Sequence, residues 1–174
     1  MSGLPAVGKS ALAVELGRRL PACVISVDPI EAAMWRSGST RSFETGLAAY
    51  EVGSTVAAHQ LALGFNVIAD AANYRNVGRE IWERAAAQTL SPIRVIHVMC
   101  SDEEVHRNRL AIRQRDIEGF TELTWEEVQQ RDAESEAWRE DHFVVDSLDP
   151  LNTIVAACLA YIGKGRNDTA DLPD

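Results

Sequence analysis

The residues with the clearest chemical potential lie at positions 3–10, which read Gly-Leu-Pro-Ala-Val-Gly-Lys-Ser. Glycine, four residues and then Gly-Lys-Ser is the spacing of a loop whose backbone N–H groups turn inward toward phosphate oxygens. In such a loop the lysine ammonium reaches the β- and γ-phosphates, and the serine hydroxyl binds Mg²⁺. The spacing therefore predicts a phosphate-binding loop followed by a helix, with ligand contacts from Gly3, Ala6, Val7, Gly8, Lys9 and Ser10.

The choice of cation at position 9 supports this interpretation. Of the 17 basic residues 15 are arginine, and only Lys9 and Lys164 are lysine. A lysine ammonium is a compact point charge, whereas a guanidinium is a planar fork. Because arginine stands at nearly every other cationic position, the lysine at position 9 indicates a site that requires the ammonium.

Several further segments occur in the order seen in one group of proteins. The chain resembles small P-loop kinases of the zeta-toxin, chloramphenicol-phosphotransferase and polynucleotide-kinase type, which are AAA-type ATP-binding proteins. The resemblance covers nearly the whole chain and is carried by Gly3–Ser10, Val24–Asp28, Asn66–Asn73 and Arg107–Arg115. One departure is Ala6, where many relatives have glycine. The resemblance implies ATP and Mg²⁺ as cofactors and a nucleotide kinase-like P-loop NTPase fold.

Two carboxylates follow predicted strands. Asp28 comes at the end of one apolar run and Asp70 at the end of the next, where ligands bind in parallel sheets. The resemblance implies that Asp28 orients or deprotonates the acceptor hydroxyl and that Asp70 holds a Mg²⁺-bound water. The alternatives are a helix cap at Asp28, with Pro29 in the first turn, and a loop-initiating role for Asp70. Relatives often have arginine three residues after the first aspartate, where this chain has Glu31.

Arginines are densest between residues 107 and 115. Guanidinium groups on a closing flap stabilise the charge that spreads over a transferring phosphoryl group. We expect a flap over residues 107–123, with Arg113 catalytic and Arg109 binding the nucleotide. The alternative is a solvated face paired with neighbouring carboxylates. Further candidates for acceptor or phosphoryl contact follow Asp70, namely Asn73, Arg75 and Arg79, although surface solvation is nearly as plausible for Arg79.

The elements that would position these groups alternate between strand and helix. Predicted strands are 23–27, 66–69, 93–100 and 142–145, and predicted helices are 9–20, 46–63, 77–90, 102–115, 124–140 and 150–162. Residues 34–45 are expected to be irregular and to overhang the acceptor pocket. This alternation predicts an α/β fold in which helices sandwich a parallel sheet. We expect one domain over residues 1–163 and a polar, disordered tail over 164–174.

A phosphate-binding loop normally follows a strand, and only Met1 and Ser2 precede Gly3. The first strand of the resembled fold is central, in the order 2-3-1-4-5. We therefore expect the first strand to be truncated, with Met1 at its end.

Composition narrows the function classes. The net charge of −9 disfavours sequence-independent binding to nucleic acid. The sequence has no run of eighteen apolar residues, so a membrane-spanning helix is not expected. Its three dispersed cysteines suggest free thiols in a cytoplasmic protein. The sequence favours a phosphotransferase that moves the γ-phosphate of ATP to a small-molecule hydroxyl. The alternatives are a polynucleotide 5′-hydroxyl kinase and a non-catalytic ATP-binding module or decayed kinase.

Overall fold

Short parallel strands alternate with helices along the chain. The computed structural model describes residues 1–114, 116–139 and 141–167. The elements in chain order are α1 Lys9–Arg19, β1 Ala22–Ser26, α2 Val27–Arg36, α3 Phe43–Ala62, β2 Asn66–Asp70, α4 Asn76–Gln88, β3 Val95–Met99, α5 Glu103–Ile112, α6 Trp125–Ala133, β4 His142–Asp146 and α7 Leu151–Asn167.

The strands form two parallel pairs. β1 pairs with β2 so that Ser26 lies opposite Asp70, and β3 pairs with β4 so that Met99 lies opposite Asp146. In each pair the carboxyl ends lie side by side, which confirms the parallel arrangement expected from the alternation of elements. Side chains that follow these strands are therefore gathered at one edge of the sheet.

The first residues of the chain lie between the two pairs. Ser2 N donates to Ile96 O at 2.9 Å, and Ser2 O accepts from Val98 N at 2.8 Å. On the other side, the Met1 amino group donates to Ala69 O at 2.9 Å. Residues 1 and 2 thus connect β2 and β3 through backbone hydrogen bonds, and they place the phosphate-binding loop directly above the middle of the sheet.

A cavity of about 470 Å³ lies between the two pairs below these first residues. It extends toward the amino ends of β2 and β3, where Asn66 and Val95 line it. Its walls are largely apolar and include Leu16, Ile68 and Ile96. Since the phosphate-binding loop lies at the carboxyl ends of the strands, this cavity is not part of the candidate site.

Helices cover both faces of the sheet. Val24 of β1 lies against Gly17 of α1, whereas its neighbour Ile25 lies against Gly53 of α3. Adjacent residues of a strand point to opposite faces, so α1 and α3 lie on opposite sides. The predicted helix-sandwiched sheet is thus confirmed.

The carboxyl-terminal end of the predicted helix over residues 124–140 is wrong, because α6 ends at Ala133. The following backbone binds Arg79 instead of continuing the helix. Arg79 Nη2 donates to Glu136 O at 2.7 Å and Nη1 donates to Ala137 O at 2.9 Å. Arg79 is only 4% exposed and its guanidinium lies 3.7 Å from the centre of the Trp138 ring, so surface solvation of Arg79 is excluded.

Helix boundaries near the candidate site also differ from prediction. α2 begins at Val27 with Ser26 at its N-cap, so Asp28 is the second helical residue and not the cap. The irregular stretch between α2 and α3 is confined to residues 37–42. At the other end of the chain, α7 continues to Asn167, and residues 168–174 lie outside the described part.

Candidate active site

The loop over residues 3–8 depends on glycine at two positions. Gly3 has φ 137°, and a Cβ there would lie 2.1 Å from the carbonyl oxygen of Val98. Gly8 has φ 99° and forms the N-cap of α1. Lys9 is the first residue of that helix and is 8% exposed; its Nζ donates to Leu4 O at 2.8 Å. The ammonium is thereby held against the loop that the sequence predicts will bind phosphate.

Ala6 adopts a backbone conformation that favours glycine. Its φ is 66°, which costs an L-residue about 1–2 kcal/mol. Its methyl group packs against the buried cluster of Leu110, Leu123 and Val128. The apolar contact offsets part of the backbone strain, which explains how alanine is accommodated at this position.

A buried histidine supports the loop from the side. His106 Nε2 lies 2.7 Å from Pro5 O, so this nitrogen carries the proton and donates it to the carbonyl. His106 is 5% exposed and meets the Trp125 ring edge-to-face at 5.0 Å. No local sequence pattern marks this role, because the contact joins residues 101 positions apart.

The arginines of α5 have separate environments. Arg109 donates to Ser147 Oγ at 2.7 Å and to Ser147 O at 3.0 Å. Ser147 Cβ lies 3.6 Å from the position of a Cβ on Gly8, so Arg109 holds the segment after β4 beside the phosphate-binding loop. Arg107 pairs with Glu103 at 3.1 Å on the exposed face of α5.

The segment after α5 carries the remaining arginines of the expected flap. Residues 107–112 belong to α5, and Arg113 stands half-buried at its C-cap. The expectation for Arg115 lies outside the described residues. Beyond Arg113, Phe120 lies 5.2 Å from the Trp35 ring of α2, so the segment packs over the end of α2.

Asp70 is held by its strand partner. Ser26 Oγ donates to Asp70 Oδ2 at 2.9 Å, and the residue is 5% exposed. Within the described ranges, the other oxygen, Oδ1, is buried without a hydrogen-bond partner. A buried carboxylate oxygen in this state is costly unless a ligand satisfies it.

The side-chain oxygens of Ser10 and Asp70 fit Mg²⁺ better than a cation whose ligands all come from the protein. Ser10 lies in the first turn of α1, half-buried. Elsewhere in the described part of the chain, no three His, Cys, Asp or Glu side chains gather as a ligand set. Mg²⁺ commonly takes one or two protein oxygens and completes its shell with phosphates and water. The hydroxyl of Ser10 and the unpartnered oxygen of Asp70 match that requirement.

A second group of polar and charged side chains acts on Tyr50. Tyr50 from α3 accepts a hydrogen bond from Asn73 N at 3.1 Å. Burial raises the pKa of Tyr50 above its ordinary range, the Asn73 N–H lowers it, the Asp28 carboxylate raises it and the Arg131 guanidinium lowers it. The phenol is therefore neutral, and both a carboxylate and a guanidinium act on it electrostatically.

The three candidates after Asp70 differ in what their side chains already bind. Asn73 Nδ2 donates to Met1 O at 2.9 Å, and its Oδ1 accepts from Trp82 at 3.2 Å. Arg79 is buried against the backbone that follows α6. Arg75 is only half-buried, pairs with Glu134 at 2.7 Å and lies 5.1 Å from the centre of the Phe43 ring. Arg75 is therefore the one of the three whose side chain reaches the protein surface.

Comparison with known proteins identifies the family. Residues 1–137 match the sequence profile of the AAA domain. The chain belongs to the AAA domain family. Among curated proteins, none matches this AAA domain by sequence.

Solved structures show that this AAA domain has the fold of small P-loop kinases. A sugar kinase from Janibacter sp. is 15% identical, with 93% of this chain and 91% of that chain covered and a TM-score of 0.69. A gluconokinase from Sinorhizobium meliloti is 16% identical, covering 96% and 91%, with a TM-score of 0.68. The APS kinase of Mycobacterium tuberculosis, in complex with AMPPNP and APS, is 15% identical, covering 93% and 94%, with a TM-score of 0.69.

The sequence marked some residues of this part of the AAA domain and missed others. The loop residues, Asp28 and Asp70 stand at the carboxyl edge of the sheet, as expected. Tyr50, His106 and Arg131 were not singled out, because no local spacing marks them. Across the described ranges, the helices lack the combination of length and hydropathy that spanning a bilayer requires.

Proposed function

We propose that this protein is an ATP- and Mg²⁺-dependent phosphotransferase that transfers the γ-phosphoryl group to a hydroxyl of a small molecule. The observation that carries the proposal is the placement of two sites at one edge of the sheet. The phosphate-binding loop with Lys9 follows the first residues of the chain, which lie beside β2, and Asp28 follows β1 on the other side of β2. The arrangement supports a donor and an acceptor held side by side.

On the donor side, the loop amides and the Lys9 ammonium bind the β- and γ-phosphates. Arg109 keeps the Ser147 segment against Gly8, which shapes the wall of the nucleotide site. Arg113, from the end of α5, binds the transferring group once the segment after it closes. These cations act by holding negative charge, because phosphoryl transfer requires little covalent chemistry from the protein.

The metal site would use two oxygens of this chain. Ser10 would bind Mg²⁺ directly and Asp70 would bind it through a water molecule. When bound, the ion neutralises charge on the β- and γ-phosphates. Ser26 keeps Asp70 in position by donating to its other oxygen.

On the acceptor side, Asp28 accepts a hydrogen bond from the substrate hydroxyl and thereby orients the oxygen of that hydroxyl toward the γ-phosphorus. The new O–P bond forms as the bond between the γ-phosphorus and the β–γ bridging oxygen breaks. The hydroxyl proton passes to the Asp28 carboxylate, and ADP leaves with the bridging oxygen. Asp28 is half-buried, so its carboxylate remains accessible to the reacting hydroxyl. The Tyr50 phenol that Asp28 acts on electrostatically is neutral.

Within the P-loop kinases, we place the chain with the zeta-toxin, chloramphenicol-phosphotransferase and polynucleotide-kinase group, on the order of its segments. A small acceptor is favoured by the net charge of −9, which opposes the phosphate backbone of a polynucleotide. The structural neighbours named as a gluconokinase and an APS kinase are consistent with an acceptor of this size. Polynucleotide 5′-hydroxyl kinase activity remains the second candidate.

The decisive experiment measures acceptor-dependent ADP release across a library of hydroxyl metabolites, with short 5′-hydroxyl oligonucleotides included. We expect release with small acceptors, a loss of about 100-fold or more in Lys9→Ala, and comparable loss in Asp28→Asn. Lys164→Ala is the matched control, since Lys164 is exposed on α7 and is the only other lysine.

Each result separates the candidate functions. Release only with oligonucleotides, weakened by salt, would establish the polynucleotide kinase instead. Lys9-dependent binding of ATP without turnover would establish the non-catalytic module. Wild-type activity in Asp28→Asn would remove that residue from the mechanism.

A further inference from the structure

One side of α6, together with its C-cap residue Glu134, carries charges of alternating sign opposite Arg41 and Arg75. Glu127, Arg131 and Glu134 are separated by four and three residues, so they lie on the same side of the helix. The outer two are ion-paired, Glu127 with Arg41 at 3.0 Å and Glu134 with Arg75 at 2.7 Å. The two partners come from different segments, one before α3 and the other after β2. The ion pairs therefore attach α6 at two points to the segments that carry Arg41 and Arg75.

Arg131 lies between Glu127 and Glu134 along the helix, and its contacts differ from those of the two glutamates. Its guanidinium lies 5.8 Å from the centre of the Tyr74 ring. Arg131 is half-buried, and within the described ranges no carboxylate lies at the ion-pair distance of 4 Å or less from its guanidinium. A guanidinium that rests on an aromatic face is oriented by the ring and keeps its N–H edge for a planar anion.

Arg131 and the proposed catalytic carboxylate act on the same tyrosine. Arg131 and Asp28 both act electrostatically on Tyr50, the guanidinium lowering and the carboxylate raising the pKa of that phenol. The Tyr50 hydroxyl accepts from Asn73 N at 3.1 Å, and Arg131 lies over the ring of the next residue, Tyr74. Val27, which precedes Asp28, packs in one cluster with Tyr50.

We propose that Arg131 binds an anionic group, a carboxylate or phosphate, on the same acceptor whose hydroxyl Asp28 orients. The proposal rests on the phosphotransferase function and adds the acceptor class to it. A guanidinium can bind such a group through two parallel hydrogen bonds, which fixes both position and orientation. The ion pairs of Glu127 and Glu134 hold the helix that carries Arg131. Glu134 also attracts Arg131 electrostatically but forms its ion pair with Arg75, so the N–H groups of Arg131 can bind a substrate anion.

The test compares acceptors that differ only in charge. The probes are D-gluconate against D-glucitol, and D-glycerate and glycerol 3-phosphate against glycerol. Two readouts are used: ADP release with Mg²⁺–ATP, and the thermal shift of protein saturated with AMPPNP. AMPPNP fills the phosphate-binding loop, so any further shift reports a second site. The carboxylate and phosphate arms identify which anion the site takes.

We expect an anionic member of a pair to exceed its neutral partner in both readouts. In Arg131→Gln the KM of that acceptor should rise about 10- to 100-fold while kcat stays within a few-fold. Arg131→Lys should recover part of the affinity. Arg139→Gln is the control, because Arg139 is 68% exposed and pairs with Glu80 away from this face.

Several outcomes would overturn the proposal. These are equal response to charged and neutral acceptors, an unchanged preference in Arg131→Gln, no response to any probe by protein that binds AMPPNP, or a fall in kcat with constant KM. The last would place Arg131 on the transferring phosphoryl group. Turnover of neutral acceptors alone leaves the phosphotransferase function standing without this inference. Arg131-dependent thermal shifts with no ADP release would do the reverse.

Discussion

Ser26 and Asp70 lie opposite each other at the carboxyl ends of β1 and β2, joined by a 2.9 Å hydrogen bond from hydroxyl to carboxylate. The strand register therefore satisfies one oxygen of Asp70. In the described part of the chain, the second oxygen has no partner. A carboxylate held in this way is oriented before any ligand arrives, which lowers the cost of binding a hydrated cation.

The first prediction concerns this pair. Asp70→Asn should lower Mg²⁺ affinity about 10- to 100-fold, because the amide offers less charge to a metal-bound water. Mg²⁺ titration of ATP turnover at saturating nucleotide measures the effect. Ser26→Ala should keep the metal site but lower the free energy of unfolding by about 1–3 kcal/mol, since Asp70 Oδ2 loses its donor. Unaltered Mg²⁺ dependence in Asp70→Asn would exclude Asp70 from the metal site.

Ala6 supplies a prediction about stability. Ala6→Gly should raise the free energy of unfolding by about 0.5–1 kcal/mol, because relief of the positive φ exceeds the entropy lost by introducing glycine. Urea denaturation measures it. Ala58→Gly, inside α3, is the opposite control and should be destabilising by about 1 kcal/mol. Destabilisation by both substitutions would show that the packing of the Ala6 methyl outweighs the strain.

Arg79 supplies a larger effect. Its guanidinium donates to the carbonyls of Asn73, Glu136 and Ala137, so Arg79→Met leaves buried acceptors without a donor. We expect a loss of about 3 kcal/mol or more in the free energy of unfolding. Arg84→Met on the same helix is the control.

Arg84 is 60% exposed and pairs with an exposed glutamate, so its loss should change stability by no more than about 0.5 kcal/mol. Equal effects of the two substitutions would contradict the structural role of Arg79. Chemical denaturation at one pH compares both variants directly.

The pH dependence of stability should reflect His97. Burial lowers the pKa of His97 below 6.5, and the nearby charges of His142 and Arg79 lower it further. The unfolded chain then binds the proton more readily, so stability is full above pH 6.5 and falls as the pH decreases below it. His97→Gln should reduce the change of the denaturation midpoint between pH 5 and 7. His59→Gln, on the exposed side of α3, should leave that pH dependence as it is. A slope unchanged in His97→Gln would refute this assignment.

The fold was largely readable from the sequence because its signals are local. Runs of β-branched residues marked the four strands to within two residues of their observed ends, and the leucines of α1 marked the buried face on which Leu12 and Leu16 lie. The phosphate-binding loop was likewise predicted by contiguous residues. In each case a short segment determines its own conformation and needs little information from distant parts of the chain.

The unpredicted features depend on distant contacts. α6 ends early because Arg79, more than fifty residues away, binds the backbone that follows it. His106 reaches Pro5 and Tyr50 reaches Asn73 only after the layers have packed. Arg131 stands out because Glu127 and Glu134 are already paired, and that distinction exists only in three dimensions.

The tethering of α6 has a mechanical consequence. Its carboxyl end is attached through Glu134 and the backbone that Arg79 binds, and its amino-terminal half is held by the Glu127–Arg41 pair and by Val128, which is buried with Leu110 and Leu123. An opening rotation about Glu134 would have to break the Glu127 pair and expose Val128. At 1.5 Å per residue, a rotation of about 20° would move Thr124 by about 5 Å but Arg131 by only about 1.5 Å. The helix therefore resists opening, and Arg131 would keep its position even when the amino end moves.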